Sequence, residues 1–171
     1  AQCLVGSEMC IRDSVWTGRW SRKLNKAACL TAVQKDKRPV TSGGIPMSLL
    51  SVIVPCYNEE ENVDCFYEEL MKNTPFFEKE GLELEILYVD DGSKDRTVEE
   101  VKDLRKRDER VHLISFSRNF GKESAIYAGL QKAKGDYVVM MDADLQDPPS
   151  LLPEMFSYIK EGYDSVATRR A

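Results

Sequence analysis

Two carboxylates, Asp142 and Asp144, close the apolar run Tyr137-Val-Val-Met-Met141 and precede Leu145-Gln-Asp-Pro-Pro149. A short apolar run bounded by Gly135 on one side and Pro148-Pro149 on the other reads as a buried strand. Alternation along an extended chain carries both carboxylates to one side, their backbones about 7 Å apart. Hard oxygens so placed can converge on one divalent cation, or on the hydroxyls of a sugar beside it. Gln146 adds a neutral oxygen on that side if the extended path continues. Asp-x-Asp alone is a weak signal, because Asp and Pro also build ordinary turns.

Three more polar clusters give it weight: Pro55-Cys-Tyr-Asn-Glu-Glu60, Asp90-Asp-Gly-Ser-Lys-Asp-Arg-Thr97 and Ser117-Arg-Asn-Phe-Gly-Lys122. Each has a plain alternative. Tyr57 can cover a sheet edge, and Glu59 to Glu61 can favour a helix N-terminus through its dipole. Asp90 to Ser93 can be a turn with a cap, and Arg118 and Lys122 can be solvated. Taken jointly, the clusters describe one crevice. It has an aromatic face for a base, carboxylates for base and ribose polar groups, cations for phosphates, and a metal site.

The elements that must position these clusters alternate strand with helix. Leu49 to Val54 reads as a strand stopped by Pro55, and Val63, Phe66, Tyr67 and Leu70 fall on one helical face. Leu84 to Val89 is a second strand, and Val98, Val101 and Leu104 mark a helix that Ser93 or Asp95 can cap. Val111 to Phe116 is a third strand, followed by a helix with Ala125, Ile126, Gly129, Leu130 and Ala133 on its apolar side. Tyr137 to Met141 is the fourth strand, Leu152, Met155, Phe156 and Ile159 line a fourth helix, and Asp164 to Thr168 begins a fifth strand. This is the pattern of an α/β fold: a Rossmann-like, mostly parallel sheet flanked by helices. Ligands of such sheets sit at the carboxyl ends of the strands, near a switch in strand order, and all four clusters fall at such ends. No Gly-x-Gly-x-x-Gly or Walker loop cradles a phosphate. A metal held by Asp142, Asp144 and Gln146 would replace that device, stabilising a diphosphate leaving group as a Lewis acid.

The 171 residues suffice for one domain with a real core. Charge divides the chain: residues 1–46 carry 8 Lys/Arg against 3 Asp/Glu, and residues 47–171 carry 16 against 26. The acidic part offers no basic face for phosphate backbones, which argues against nucleic acid as a partner. Residues 1–46 lack helical and strand periodicity and are read as lying outside the domain, a non-native or disordered extension. Ala1 to Ser14 resembles translated sequencing-adapter read-through, and Met47 is a plausible start. The runner-up for this segment is a basic arm on anionic lipid. Residues 47–171 are read as the folded, nucleotide-sugar-binding part. The five cysteines of the whole chain, Cys3, Cys10, Cys29, Cys56 and Cys65, show neither a metal-ligand spacing nor a disulfide framework and fit a reducing compartment. No apolar run approaches the roughly 18 residues of a membrane span, and no signal peptide is recognisable.

The four clusters together with Ser51-Val-Ile-Val54 and Tyr88-Val89 resemble the motifs of inverting family-2 glycosyltransferases, over about residues 49–170. Within them the chain is most similar to the polyisoprenyl-phosphate hexosyltransferases, the dolichol-phosphate mannosyltransferase and bactoprenol glucosyltransferase branch. The resemblance implies a GT-A fold, incomplete at the C-terminus. The activity it implies is transfer of a hexose from a UDP- or GDP-sugar to a polyisoprenyl phosphate, with Mg²⁺ or Mn²⁺. It places Pro55, Tyr57, Glu59, Val89 and Asp91 around the nucleoside, with Asp91 receiving a base N–H. Asp142, Ala143, Asp144 and Gln146 match the metal and diphosphate-sugar site, Lys122 a phosphate contact, and Arg170 an arginine that reaches the phosphates or the acceptor. Asp144 and Arg170 are the implied catalytic residues. The family continues beyond this point with acceptor-binding residues and often membrane helices. The chain is therefore expected to be mainly a donor-binding half, with little turnover, from a protein on the cytoplasmic face of a membrane. The open edge left by a fifth strand allows an oligomer.

Two other classes share parts of the pattern. A phosphoacceptor receiver domain has an acidic pair and a later Asp, but after the first and third strands rather than the second and fourth. A sugar nucleotidyltransferase would share the metal carboxylates, but wants a glycine-rich phosphate loop after the first strand.

Overall fold

In a computed structural model, which describes residues 29–32 and 47–168, two nine-residue strands form the centre of the sheet. They are β2 (Ser48–Cys56) and β3 (Leu82–Asp90). Both are buried on both faces, as near-continuous Val/Ile/Leu runs in parallel sheets must be. β1 is Cys29–Ala32, and β4 (Val111–Ser115), β5 (Tyr137–Met140) and β6 (Ser165–Ala167) complete a six-stranded sheet of order β4-β3-β2-β5-β1-β6. β4, β3, β2 and β5 run parallel, while β1 lies antiparallel between β5 and β6. The chain builds outward from β2 to β4, then returns to the far side of β2 as β5. The switch in strand order therefore falls between the carboxyl ends of β2 and β5, where such sheets bind ligands.

Helices cover the two faces unequally. α1 (Val63–Met71), α3 (Thr97–Arg107) and α5 (Leu152–Lys160) bury Phe66, Leu70, Val101, Leu104, Leu152 and Phe156 against Val52, Val54, Ile86 and Tyr88. On the other face α4 (Lys122–Lys132) sets Ala125 against Ile53, Leu87 and Val89. A Cβ on Gly129 would lie 2.5 Å from Ile53 Cγ2, so the absence of a side chain there sets how closely α4 lies on the sheet. α2 (Thr74–Glu80) is a short helix with proline in its first turn, closed by Gly81 in the left-handed region at φ 64°.

Several expectations are corrected. Pro55 does not stop the first central strand: β2 runs on to Cys56, with Pro55 opposite Val89 of β3. The Cys56 carbonyl accepts the Asp91 N–H on the β3 side, whereas the Ile53 carbonyl accepts the Met141 N–H on the β5 side. The Pro55 nitrogen therefore points towards β5, past the residues that pair, and its missing N–H costs no ladder bond. Leu130, expected on the inner side of its helix, is exposed. The reading of residues 1–46 as outside the domain fails at Cys29–Ala32. These residues pair with β5 and β6, and Leu30 is buried in the main core. A four-residue strand shows no periodicity to read, and it is held by the open edge of β5. The remainder of 1–46 lies outside the described residues.

Candidate functional site

The loop after β2 is fixed by the loop after β3, side chain to backbone. Asn58, at φ 55°, donates its N–H to Ser93 Oγ (2.9 Å) and accepts the Lys94 N–H on Oδ1 (2.9 Å). Glu59 N–H reaches Thr97 Oγ1 at 2.8 Å, Glu60 N–H reaches Asp95 Oδ2 at 3.1 Å, and Glu60 Oε2 accepts the Arg96 N–H at 2.8 Å. Asn and Asp serve here because their short side chains replace backbone partners in turns. The result is a rigid ledge on which Tyr57 stands 42% exposed. Glu59 is oriented by the Asn62 side-chain amide, which donates to its Oε2 at 2.6 Å.

The aspartate that ends β3 and the one just past it divide their work. Asp90 is buried, accepting Ser93 N–H at 3.0 Å and Ser115 Oγ–H at 2.8 Å, and it ties the turn to β4. Asp91, 3% exposed, accepts the backbone N–H groups of Phe120 (2.6 Å) and Gly121 (2.8 Å), one on each oxygen. It therefore anchors the Ser117–Gly121 loop in addition to facing the cleft. Gly92, at φ 74°, lies so close to that loop that an added Cβ would stand 2.4 Å from the Arg118 carbonyl carbon. Two spatially adjacent loops are thus locked by one carboxylate and one missing side chain.

β5 ends at Met140, and the two carboxylates follow on the loop. Asp142 is ion-paired with Lys122, the first residue of α4, at 2.7 Å from Nζ. Asp144 is exposed, and its Oδ1 accepts the Gln146 N–H at 3.1 Å. Leu145 adopts φ 59°, so the chain turns instead of extending. The geometric argument that would bring Gln146 beside the two aspartates therefore does not hold in the structure.

One cleft of about 260 Å³ gathers Pro55, Tyr57, Glu59, Asp91, Lys122, Asp142, Ala143 and Asp144, together with Cys56, Asn119, Gly121 and Ala125. Of the residues singled out in the sequence, Val89 is not on its wall. Val89 is fully buried on the α4 face, because it sits opposite Pro55 one residue before the strand end. Gln146 is not on the wall either, and Arg170 lies outside the described residues. The α4 N-terminus went unread in the sequence. Gly121, at φ 96°, precedes it and lines the cleft, so the first turn of α4 and the positive end of its dipole lie there, a setting that suits phosphate. The glycine in Asn119-Phe-Gly-Lys122 was the available signal. Burial pushes the Cys56 thiol well up from its ordinary pKa, with Glu59, Asp90, Asp142 and Asp95 adding to the effect through their negative charge. The floor of the cleft is thus an electronegative place that favours cations.

Among the described residues no group of three or more His, Cys, Asp or Glu side chains is arranged to hold a metal ion. Two carboxylates suit a cation that takes its other ligands from phosphate oxygens and water, the usual arrangement for Mg²⁺ at phosphate sites. The Lys122 ammonium on Asp142 shows that a cation fits at that carboxylate. The residues present fit such an ion.

The family model for glycosyl transferase family 2 matches residues 51–171. An uncharacterized glycosyltransferase of Bacillus subtilis, YkcC, is 48% identical over 116 residues, covering 68% of this chain and 35% of that protein. A prophage bactoprenol glucosyl transferase homolog of Escherichia coli is 40% identical over 122 residues, covering 71% of this chain and 39% of that protein. Among solved structures, a mannosyltransferase from Pyrobaculum calidifontis in complex with GDP-Man and Mn²⁺ superposes with a TM-score of 0.57 at 25% identity. That match covers 66% of this chain and 32% of that one. The chain thus spans between a third and two-fifths of the length of these curated relatives. A parallel sheet with α4 and the carboxylate pair at its switch point, and a family match across every one of the four polar clusters, lead to one conclusion: this chain belongs to glycosyl transferase family 2 and has the α/β GT-A fold.

Proposed function

We propose that the cleft binds a nucleoside diphosphate sugar, UDP- or GDP-linked, for inverting transfer of its hexose to a polyisoprenyl phosphate at the cytoplasmic face of a membrane. The observation that carries this reading is the convergence of Tyr57, Asp91, Lys122, Asp142 and Asp144 on one cleft at the strand-order switch. The similarity to a bactoprenol glucosyl transferase homolog supports the lipid acceptor, and the neighbour solved in complex with GDP-Man and Mn²⁺ supports a nucleotide-sugar donor and a divalent ion.

In this reading the Tyr57 ring packs on the base, and Asp91 offers its remaining lone pairs to a base N–H while keeping the 117–121 loop in place. Glu59, held by Asn62, faces the ribose side. Asp142 and Asp144 hold Mg²⁺ or Mn²⁺, which when bound neutralises the diphosphate leaving group. Lys122 and the α4 N-terminus contribute further positive charge to the diphosphate. The acceptor phosphate is already an anion near neutral pH, so direct displacement at the anomeric carbon requires no strong base from this chain. Arg170 is assigned to the phosphates or the acceptor. The chain is mainly the donor-binding half, and membrane attachment and acceptor positioning belong to the longer protein. Among the described residues no helix is long and apolar enough to cross a membrane.

Melting the protein with UDP, GDP, CTP or acetyl phosphate, with and without Mn²⁺, tests the reading, since a ligand that binds the native state raises the midpoint. A metal-dependent rise with UDP or GDP is expected. A rise confined to CTP, or to acetyl phosphate, would transfer the protein to nucleotidyl transfer or to phosphoacceptor signalling.

A further inference from the structure

We propose that Lys122 is an internal counter-cation that holds the place of the divalent ion on Asp142 and yields it only when a diphosphate arrives, so that metal and donor bind as a coupled pair. This rests on the reading of Asp142 and Asp144 as the metal site, and goes beyond it by assigning how the site is kept when empty of donor.

Three features of the structure lead there. Lys122 Nζ stands 2.7 Å from each of the two Asp142 oxygens, so the ammonium sits on both atoms this carboxylate could offer a metal. The lysine side chain is 57% exposed and the aspartate 21%, so the lysine can swing away while the carboxylate stays lodged against the cleft. Lys122 is also the first residue of α4, where the helix dipole disfavours a cation. Its partner at Asp142 offsets that penalty, and a bound diphosphate would offset it equally well. One ammonium thus has two alternative anionic partners, Asp142 and an arriving diphosphate, and the metal would draw on both.

The consequence is thermodynamic. Without nucleotide, a divalent ion must displace the ammonium and leave it unpaired at a positive helix end. With nucleotide, the displaced ammonium moves to the diphosphate. Each ligand therefore raises the other's affinity by the same factor, as linkage requires. An exposed ion pair is worth little, so the effect is modest, about 2- to 5-fold in metal affinity. Other cations near the cleft do not meet the same description. Arg118, four residues earlier, lies over the Phe120 ring at 4.7 Å.

The test measures Mn²⁺ affinity of the whole chain from the electron paramagnetic resonance signal of free Mn²⁺, with and without the nucleotide that raises the melting midpoint. For Lys122→Met the expected result is Mn²⁺ binding about 2- to 5-fold tighter without nucleotide, with a smaller gain on adding nucleotide than in the parent protein. Arg118→Met removes the same charge from the loop just before α4 and should leave both affinities unaltered. Lys122→Arg should restore the parent behaviour, and melting midpoints show that each variant is folded. Unchanged or weaker Mn²⁺ binding by Lys122→Met, an equal gain from Arg118→Met, or an undiminished nucleotide gain would each overturn the inference while leaving the metal site in place. Failure of the parent and all variants to bind Mn²⁺, even with nucleotide, would overturn the metal reading and this inference together.

Discussion

Both oxygens of Asp91 are engaged by backbone N–H groups of the neighbouring loop, at 2.6 and 2.8 Å, which gives this residue a structural duty beside any contact with a base. Asp91→Ala would leave those two N–H groups without their acceptor in a part-buried place. The expected cost is about 2–3 kcal/mol, readable by denaturant unfolding, together with weaker nucleotide binding that persists when Mn²⁺ is absent. Retained stability and retained affinity would make Asp91 an incidental turn residue. Asp144 has no comparable anchor and is exposed, so Asp144→Asn should leave stability within about 0.5 kcal/mol. It should nonetheless abolish the Mn²⁺-dependent part of the nucleotide-induced rise in midpoint. Both carboxylates were legible as site candidates from type and spacing. What spacing did not reveal was that Asp91 is spent largely on its neighbour loop, or that Leu145 turns the chain and removes the geometric reason for placing Gln146 beside Asp142. Backbone conformation decides those points, and a left-handed leucine leaves no mark in the residue pattern.

Among the elements, the junction of α1, α3 and β4 depends on one carboxylate. Asp108, just past α3, accepts Tyr67 Oη–H at 2.8 Å from α1 and Arg110 Nε–H at 2.9 Å from the approach to β4. Hydrogen bonding from the Arg110 guanidinium holds its pKa down at about 2, against burial, which opposes the shift. A carboxylate whose pKa is lowered on folding stabilises the native state at neutral pH. That contribution fades as pH falls below the ordinary aspartate value, near 3.9, towards the folded value. Asp108→Asn should therefore lower the midpoint by a constant amount above pH 5, with the gap to the parent protein closing between about pH 4 and pH 2. A gap independent of pH throughout would mean that the ion pair is not the cause. The long elements were readable because their apolar periods are long: every residue assigned to the inner face of α5 is buried. α2 was not, because Phe76 and Phe77 are adjacent and seven residues carry less than two helical repeats. The extension of β2 through Pro55 was hidden by a rule that holds for paired positions and lapses where the neighbouring strand has already ended.

For the molecule as a whole, the charge division in the sequence acquires a spatial meaning. The acidic part forms the cleft and its surroundings, so an anionic donor meets a repulsive surface that a divalent ion and a few cations must locally reverse. The α/β class and the position of the site at the strand ends followed from the alternation of elements and needed no coordinates. The sheet order did not, since β1 enters from a segment without pattern. That strand changes one expectation outright. Reading residues 1–46 as an appendage implies that deleting them leaves the midpoint nearly unaltered. With Cys29–Ala32 paired on both sides and Leu30 in the core, the deletion should instead lower it by several degrees and speed amide exchange along β5. An unmoved midpoint would show that β1 adds nothing to the sheet.

The same strand governs the order of assembly. Among the described residues β6 joins the sheet only through β1, and Cys29 meets Met140 across a long stretch of chain, so closing this seam costs more loop entropy than the β2–β3 and β3–β4 pairings. Until it closes, the flank of β5 is an uncovered edge, and refolding at high concentration is expected to yield some dimers in which that edge is covered by a strand on loan, detectable as a concentration-dependent larger species in size-exclusion chromatography.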